Sequence, residues 1–321
     1  MIDIIYNDEN KNLCVCPENT EYDSSFLVNK WVNLINPDDR EIEKIASLTG
    51  IAEENIKAAL DEEERARIDK EDDCVMILLD VPVIEEDPEN DYYTYGTIPM
   101  SIIHKDNYLV TVCLRENSVI NDFKYGRVKN VETYKSTRVT FQILYAISTK
   151  YLYYLRLINK ASQRVQSTLE KKMNNDTILE MLDLQKSLVY FSTSISANDA
   201  VIEKLNKQPY LKKYDEDQDV IEDAGIENKQ AAEMCSIYRE IMNGTMDAYG
   251  TIISNNVNGI MKFLTALTLV ISVPTLIASL FGMNLGGIPG LNHPWGFTIV
   301  CAISIVLAVI SGIFLAKKKM F

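Results

Sequence analysis

The 321-residue chain is expected to form an α+β cytosolic domain, then a long stalk helix, then a two-helix transmembrane hairpin. Three observations predict this. Segments rich in Val, Ile, Tyr and Thr recur up to about Lys129. From about Val131 the apolar positions take up helical spacing, and the run from Phe263 to Ala316 contains no Asp, Glu, Lys or Arg.

In the first part of the chain, strands are expected at Ile2 to Tyr6, Leu13 to Cys16, Cys74 to Ile84, Tyr92 to Ile103 and Tyr108 to Cys113. A helix is marked by Asn36 as N-cap, Pro37 at its first position and Gly50 just past its end, with Ile42, Ile45 and Leu48 as its apolar face. Glu53 to Glu64 reads as a second, acidic helix. Glu85 to Asp91, with Pro88 and five carboxylates, reads as an exposed turn between strands.

Between Val131 and Leu205 lies an antiparallel helix pair, with Phe141, Leu144, Tyr145, Ile147, Leu152 and Leu155 at helical spacing and a capped turn at Asn174-Asn175-Asp176. Tyr151, Tyr153 and Tyr154 read as packing residues. After Gln208-Pro209-Tyr210 and the acidic run 215–219, one helix is expected from Val220 to Phe281, interrupted only by Pro274. At 1.5 Å per residue it reaches on the order of 90 Å, far more than a bilayer, so its first part is a stalk. Gly225, Gly244, Gly250 and Gly259 each cost about 1 kcal/mol of helicity, to be recovered by packing. Met234, Ile237, Ile241 and Ala248 present a seam to neighbours, and Pro274 is a site for a bend.

Phe263 to Leu280 and Phe297 to Leu315 are each long and apolar enough to cross a hydrocarbon core of about 30 Å. Their short connection makes them an antiparallel hairpin. Lys262 precedes the first span and Lys317, Lys318 and Lys319 follow the second, which assigns both flanks, and both termini, to the cytoplasmic face of the cell membrane. Trp295 and Phe297 fall at the outer interface. Within the first span, Thr265, Thr268, Ser272, Thr275 and Ser279 follow at spacings of three and four and form one stripe, extended by Asn258 and Met261. Such a stripe is either a helix–helix contact or the wall of a water-filled path shared by several copies. The organisation is thus 1–130, α/β; 131–214, antiparallel helices; 215–262, stalk; 263–281, first span; 282–295, outer loop; 296–316, second span; 317–321, basic tail.

Composition excludes several classes. The net charge is −14, and because Lys262 onward carries +4, residues 1–261 carry −18. Nucleic acid is therefore not an expected partner. An acidic surface concentrates cations, although solubility alone accounts for it. The six cysteines and two histidines, His104 and His293, show no zinc-site spacing, and free thiols suit the cytosol. No targeting segment is visible at the N-terminus. Neither a nucleophile–base pair nor a catalytic metal spacing is visible, so an enzyme is not expected; there is no Gly-rich phosphate loop either, and no organic cofactor is expected.

The soluble N-terminal region, the two-span hairpin, Gly282-Met283-Asn284 closing the first span and the Lys-rich tail together resemble the CorA family of divalent-cation channels. The tripeptide alone is a weak signal and has an ordinary reading as a helix C-terminus. Its position gives it weight. The resemblance implies a homopentamer with a cytosolic α/β/α funnel, a stalk that continues into the inner pore helix, and a lipid-facing second span. By position it implies a pore lined by Asn258, Met261, Leu264, Ser272, Thr275 and Ser279. Gly282, Met283 and Asn284 would form the selectivity filter, with the Asn284 ring holding hydrated Mg²⁺ at the outer mouth. Tyr249, Asp247 and Arg239 stand where the family's stalk has similar residues.

Mg²⁺ surrenders water reluctantly, so neutral oxygens can grip it through its hydration shell. The membrane potential would drive uptake with about 4.6 kcal/mol for two charges at 100 mV, with Co²⁺ or Ni²⁺ as further passengers. The resemblance also implies closure by cytosolic Mg²⁺ bound between subunits. Asp223 is the best positional match, Asp72 or Asp73 its partner across the interface, and Asp219 and Asp247 secondary candidates; each also reads as a solvated surface carboxylate. The chain departs from the family in its uncharged outer loop Leu285 to Pro294, in Pro274, shifted by one position, and in Ser279, where Gly is frequent. The alternatives are a Zn²⁺ transporter of the same fold, against which Met283 speaks, and a membrane-anchored, non-transporting sensor or scaffold.

Overall fold

The computed structural model describes residues 1–17, 20–86, 93–171, 175–212, 214–283 and 294–318. The chain divides into two compact units, Met1–Asn243 and Gly244–Phe321.

The first unit is built on a seven-stranded sheet. Its elements are β1 (Ile2–Asn7), β2 (Leu13–Val15), the short α1 (Ser24–Leu27), β3 (Trp31–Ile35), α2 (Asp39–Thr49), α3 (Glu53–Lys57) with a 3₁₀ turn at Ala58–Leu60, β4 (Arg67–Glu71), β5 (Cys74–Glu86), β6 (Tyr93–Lys105), β7 (Tyr108–Cys113) and α4 (Ser118–Lys124). The strand order is β2-β1-β3-β7-β6-β5-β4. All pairs are antiparallel except β3 with β7, which run parallel with Trp31 opposite Leu109 and Ile35 opposite Cys113. One face of the sheet packs on α2 and α3 through Val32, Leu34, Ile42, Ile45, Ile56, Met76 and Val110. On the other face Phe123 meets Trp31 edge-on at 5.4 Å.

The five expected strands are all present. Two more, β3 and β4, carry no sequence expectation. The first helix begins later than its sequence reading. Asp38, not Asn36, is the N-cap: its side chain accepts from Glu41 N–H while Glu41 reaches back to Asp38 N–H. Asn36 instead sits at φ 42° and donates its N–H to Cys113 C=O at 2.9 Å. Gly50 closes that helix at φ 69° as expected. The acidic segment expected to be helical from Glu53 to Glu64 is helical only to Lys57, then 3₁₀ to Leu60. Asp61 Oδ1 takes the Glu63 N–H, and four successive acids would meet the negative end of a longer helix. Glu85 and Glu86 belong to β5 rather than to the turn; 87–92, including Pro88 and Tyr92, lie outside the described residues.

Two long helices, α5 (Ser136–Lys171) and α6 (Asn175–Lys207), cover the second face. Tyr151 and Phe191 meet edge-on at 5.0 Å between them. Asn174 lies outside the described residues. The last long helix, α7 (Asp215–Phe281, 67 residues), contains Pro274. It starts at Asp215 because the acids of 215–217 sit in its first turn, where the helix dipole favours negative charge. Its residues in the first unit bury Ile221, Ala224, Asn228, Ala231 and Cys235 at spacings of three and four. Asn228 Nδ2 donates to Ile195 C=O at 3.1 Å, and Arg239 to Ser192 Oγ at 3.2 Å, fastening α7 to α6. The opposite side of this stretch leaves Ile226, Ile237 and Ile241 exposed.

The second unit contains the rest of α7 and α8 (Gly296–Lys317). Both helices are long and apolar enough to span a membrane, and very little of either apolar stretch is fully buried. An added Cβ at Gly244, Gly250 or Gly259 would meet nothing within 4 Å, so within one chain these are not points of close helix approach.

Candidate functional site

Which face of the first span meets α8 decides between the two readings of the hydroxyl stripe. The residues of the span that lose exposure are Ala266, fully buried, and Val270, Val273, Pro274 and Ile277, half-buried. At 100° per residue they lie within about 100° of one another. On α8 the covered positions are Val300, Cys301, Ser304, Ala308, Ser311, Gly312 and Leu315. Val270 Cγ2 lies 3.9 Å from where a Gly312 Cβ would be. Small residues on α8, with Ala266 on α7, therefore make the close contact of the hairpin.

The stripe is on the other side. Asn258, Met261, Leu264, Thr265, Thr268, Ser272, Thr275 and Ser279 are all exposed and centre roughly opposite the α8-facing residues. Contact between the two spans of one chain thus does not account for the hydroxyls. Four of the stripe's five hydroxyls donate to the main chain one turn back: Thr265 to Met261 C=O at 2.8 Å, Thr268 to Leu264 at 2.8 Å, Ser272 to Thr268 at 2.7 Å and Thr275 to Ile271 at 2.9 Å. With the proton committed to the main chain, the oxygen presents lone pairs outward. Such a surface accepts hydrogen bonds from water and offers hard oxygen to a cation. No ionised side chain stands on it from Phe263 to Met283.

At the end of α7, Gly282 N–H donates to Ala278 C=O at 2.9 Å, and a Cβ at Gly282 would come within 3.1 Å of the same carbonyl. A side chain at this position would crowd the helix's own backbone. Met283 is exposed. Asn284 and the loop to His293 lie outside the described residues, as do Lys319 to Phe321. Trp295 is the N-cap residue of α8, and Phe297 follows in its first turn, 83% exposed.

The candidate regulatory carboxylates are dispersed over the chain. Asp72 and Asp73 form the β4–β5 turn, with Asp72 at φ 46°, while Asp219, Asp223 and Asp247 lie along α7; all five are exposed. Among the described residues of one chain no three His, Cys, Asp or Glu side chains stand together as a metal site. Their oxygen chemistry suits Mg²⁺.

The polar junction that seats α6 against the sheet had no sequence expectation. Beyond the end of β4, the Asn198 side chain takes the place of a strand: its Oδ1 accepts Asp80 N–H at 2.9 Å and its Nδ2 donates to Asp80 C=O at 2.8 Å. Tyr151 Oη donates to the same carbonyl at 3.0 Å. Burial pushes the Asp80 carboxyl above its ordinary pKa. One strand away, buried His104 holds Thr140 through Nε2 at 2.7 Å. Thr140 Oγ1 also stands 3.1 Å from Ser136 C=O. Burial pushes His104 down to about 4, so it is neutral.

A mixed-sheet domain and a long helix, with two apolar spans and an uncharged oxygen-bearing face on the first, define a two-span membrane protein. The model of the CorA-like Mg²⁺ transporter family matches residues 28–318, and the chain belongs to that family. The cobalt/magnesium transport protein CorA of Methanocaldococcus jannaschii is 28% identical over 289 residues, 87% of each chain. A solved structure described as the complete CorA magnesium transporter of that organism covers 97% of this chain and 96% of its own, with a TM-score of 0.77 at 24% identity. A zinc transport protein ZntB of Yersinia pseudotuberculosis is 33% identical over 73 residues, 23% of this chain and 22% of its own.

Proposed function

We propose that several copies of this chain form a channel that carries Mg²⁺ across the cell membrane down its electrochemical gradient. The single observation that carries the reading is the hydroxyl stripe of α7, turned away from α8 with four of its five hydroxyls donating inward. Two spans cannot enclose a path, so copies would assemble around this face, Asn258, Met261, Leu264, Ser272, Thr275 and Ser279 inward, and Gly282, Met283 and Asn284 at the outer mouth. The exposed Ile226, Ile237 and Ile241 on α7 supply an apolar stripe for contact between copies, and five copies is the number the family resemblance implies. Lipid would cover α8. The basic flanks Lys262, Lys317 and Lys318 favour both termini on the cytoplasmic side.

Neutral hydroxyl and amide oxygens suit a hard, hydrated ion better than a soft one, which favours Mg²⁺ over Zn²⁺. They also bind weakly enough to release it. Co²⁺ and Ni²⁺ are candidate passengers. The Zn²⁺ reading draws on the short ZntB match. Cytosolic Mg²⁺ bridging Asp223 of one copy to Asp72 or Asp73 of the next, with Asp219 and Asp247 in support, would hold the closed state.

Flux into liposomes holding the purified protein tests the reading, with Mg²⁺, Zn²⁺ and Co²⁺ in parallel. Saturable Mg²⁺ flux that stops as cytosolic Mg²⁺ rises is expected. Zn²⁺ flux alone assigns a zinc transporter, and no flux assigns a scaffold.

A further inference from the structure

The helix α5 opens without a cap. The residue before Ser136 is Lys135, whose ammonium donates but cannot accept, and no acid stands in the first turn. The N–H groups of Ser136, Thr137 and Arg138 precede the first bond of the helix, Val139 N–H to Lys135 C=O at 3.0 Å, and have no acceptor among the described residues. By contrast, α7 carries Asp215, Glu216 and Asp217 in its first turn. The two helix starts line one cleft of about 590 Å³, together with Tyr134, Lys212 and Tyr214. On its wall Thr137 is 8% exposed, and its hydroxyl has no hydrogen-bond partner among the described residues. A hydroxyl so enclosed has lost most of its water without gaining a partner.

We propose that this cleft binds a nucleotide polyphosphate as its Mg²⁺ complex. The phosphate end is defined by the three N–H groups, the Thr137 hydroxyl and the positive end of a 36-residue helix. Two cations stand beside it. Lys212 is exposed and has no carboxylate partner among the described residues. Arg138 reaches Glu216 at 3.0 Å, a pair whose acid is 74% exposed and which a phosphate can displace. Lys135 is taken by Glu132 at 2.7 Å. The base end is defined by Tyr134 and Tyr214, two exposed rings on which a base can stack. The acids select the form of the ligand. Asp217 is buried and accepts the Tyr214 N–H at 3.1 Å, but Asp106, Asp215 and Glu216 are exposed on the lining and would repel a bare polyphosphate. Mg²⁺ carried on the phosphates offsets that charge.

Calorimetric titration of the purified full-length protein at fixed Mg²⁺ tests this, with ATP, tripolyphosphate, adenosine and inorganic phosphate as probes. ATP is expected to bind about tenfold or more tightly than each of the others. Thr137→Val, which removes only the hydroxyl, and Lys212→Glu, at an exposed position, should each weaken ATP binding about tenfold, the worth of one charge-assisted contact. Neither should lower the melting temperature of the ligand-free protein. Lys160→Glu, exposed on α5 about 36 Å further along the helix, is the control and should leave ATP binding unaltered. Omitting Mg²⁺ should weaken ATP binding about tenfold or more. No ATP binding at millimolar concentration would overturn the proposal, and so would binding that neither substitution weakens. Inorganic phosphate or tripolyphosphate held as tightly as ATP would overturn the nucleotide and leave a plain anion site, and equal affinity without Mg²⁺ would overturn the metal complex. Binding is read here without flux, so this site and the channel stand or fall separately.

Discussion

Replacing Thr275 with Val exchanges one hydroxyl for a methyl of nearly the same shape on the stripe. The lost hydroxyl donates to Ile271 C=O at 2.9 Å, a carbonyl that the helix also serves with a main-chain N–H. The helix should therefore lose no more than about 1 kcal/mol, the usual net value of one hydrogen bond. The loss to a passing ion is larger. A water held on Mg²⁺ is a strong donor, and a charge-assisted bond to Thr275 Oγ1 is worth about 1.5–3 kcal/mol. Losing one such contact slows passage about tenfold or more, since 1.4 kcal/mol is a factor of ten. The assay is initial Mg²⁺ flux per assembled oligomer in liposomes, beside the oligomer's mass in detergent. Val273→Thr, on the α8-facing side, is the control and should leave flux within about twofold of wild type, less than 0.5 kcal/mol. Wild-type flux in Thr275→Val would refute the pathway along the stripe. If assembly weakens while flux per oligomer is unchanged, the stripe is a contact between copies instead.

Further outcomes follow from the same chemistry. Asn284→Ala should abolish Mg²⁺ uptake with assembly intact, and normal uptake removes it from the filter. Asp223→Ala should require more cytosolic Mg²⁺ to stop flux; an unchanged inhibition curve dismisses it as a regulatory ligand. Asn198→Leu leaves the Asp80 N–H buried without an acceptor and should cost about 1–3 kcal/mol, read as a lower melting temperature of the solubilised protein. His104 has a folded pKa of about 4, below the ordinary 6.5, so between these values the unfolded state binds the extra proton. Its contribution is fully present above pH 6.5 and is lost as pH falls toward 4. Gln at 104 should flatten the fall in melting temperature over that window, and an unaltered profile would exclude His104 as its source.

The spans were legible because charge is absent for 54 consecutive positions and basic residues flank them. The hydroxyl stripe was legible because spacings of three and four define a face whatever the surroundings. Which face meets α8 was not, since a hydroxyl stripe suits a helix contact as well as a water-filled path, and the burial of Ala266 and the approach of Gly312 to Val270 settle it. β4, Arg-Ile-Asp-Lys-Glu, escapes because an edge strand protects itself with charge and so lacks the composition of a strand. β3 has an apolar pattern but is interrupted by Asn33, whose side-chain Oδ1 accepts from the Thr111 hydroxyl at 2.8 Å, a partner remote in sequence. Asp38 displaced Asn36 as cap because the Glu41 half of the capping box lies three residues after Asp38. The Asn198–Asp80 pairing joins residues 118 positions apart and leaves no local trace.

The parallel pairing of β3 with β7 also orders the birth of the molecule. Trp31 waits for Leu109, a closure of about 80 residues, before the centre of the sheet exists. α5 and α6, which cover its second face, are made only afterwards. The spans are translated after both. By the time the ribosome delivers Phe263 to the bilayer, every strand of the sheet has already been synthesised. Insertion would then tether a domain whose sheet-building segments are all available. A truncation after Ile35 and before Tyr108 would leave one side of β3 as an unpaired edge, a template for aggregation.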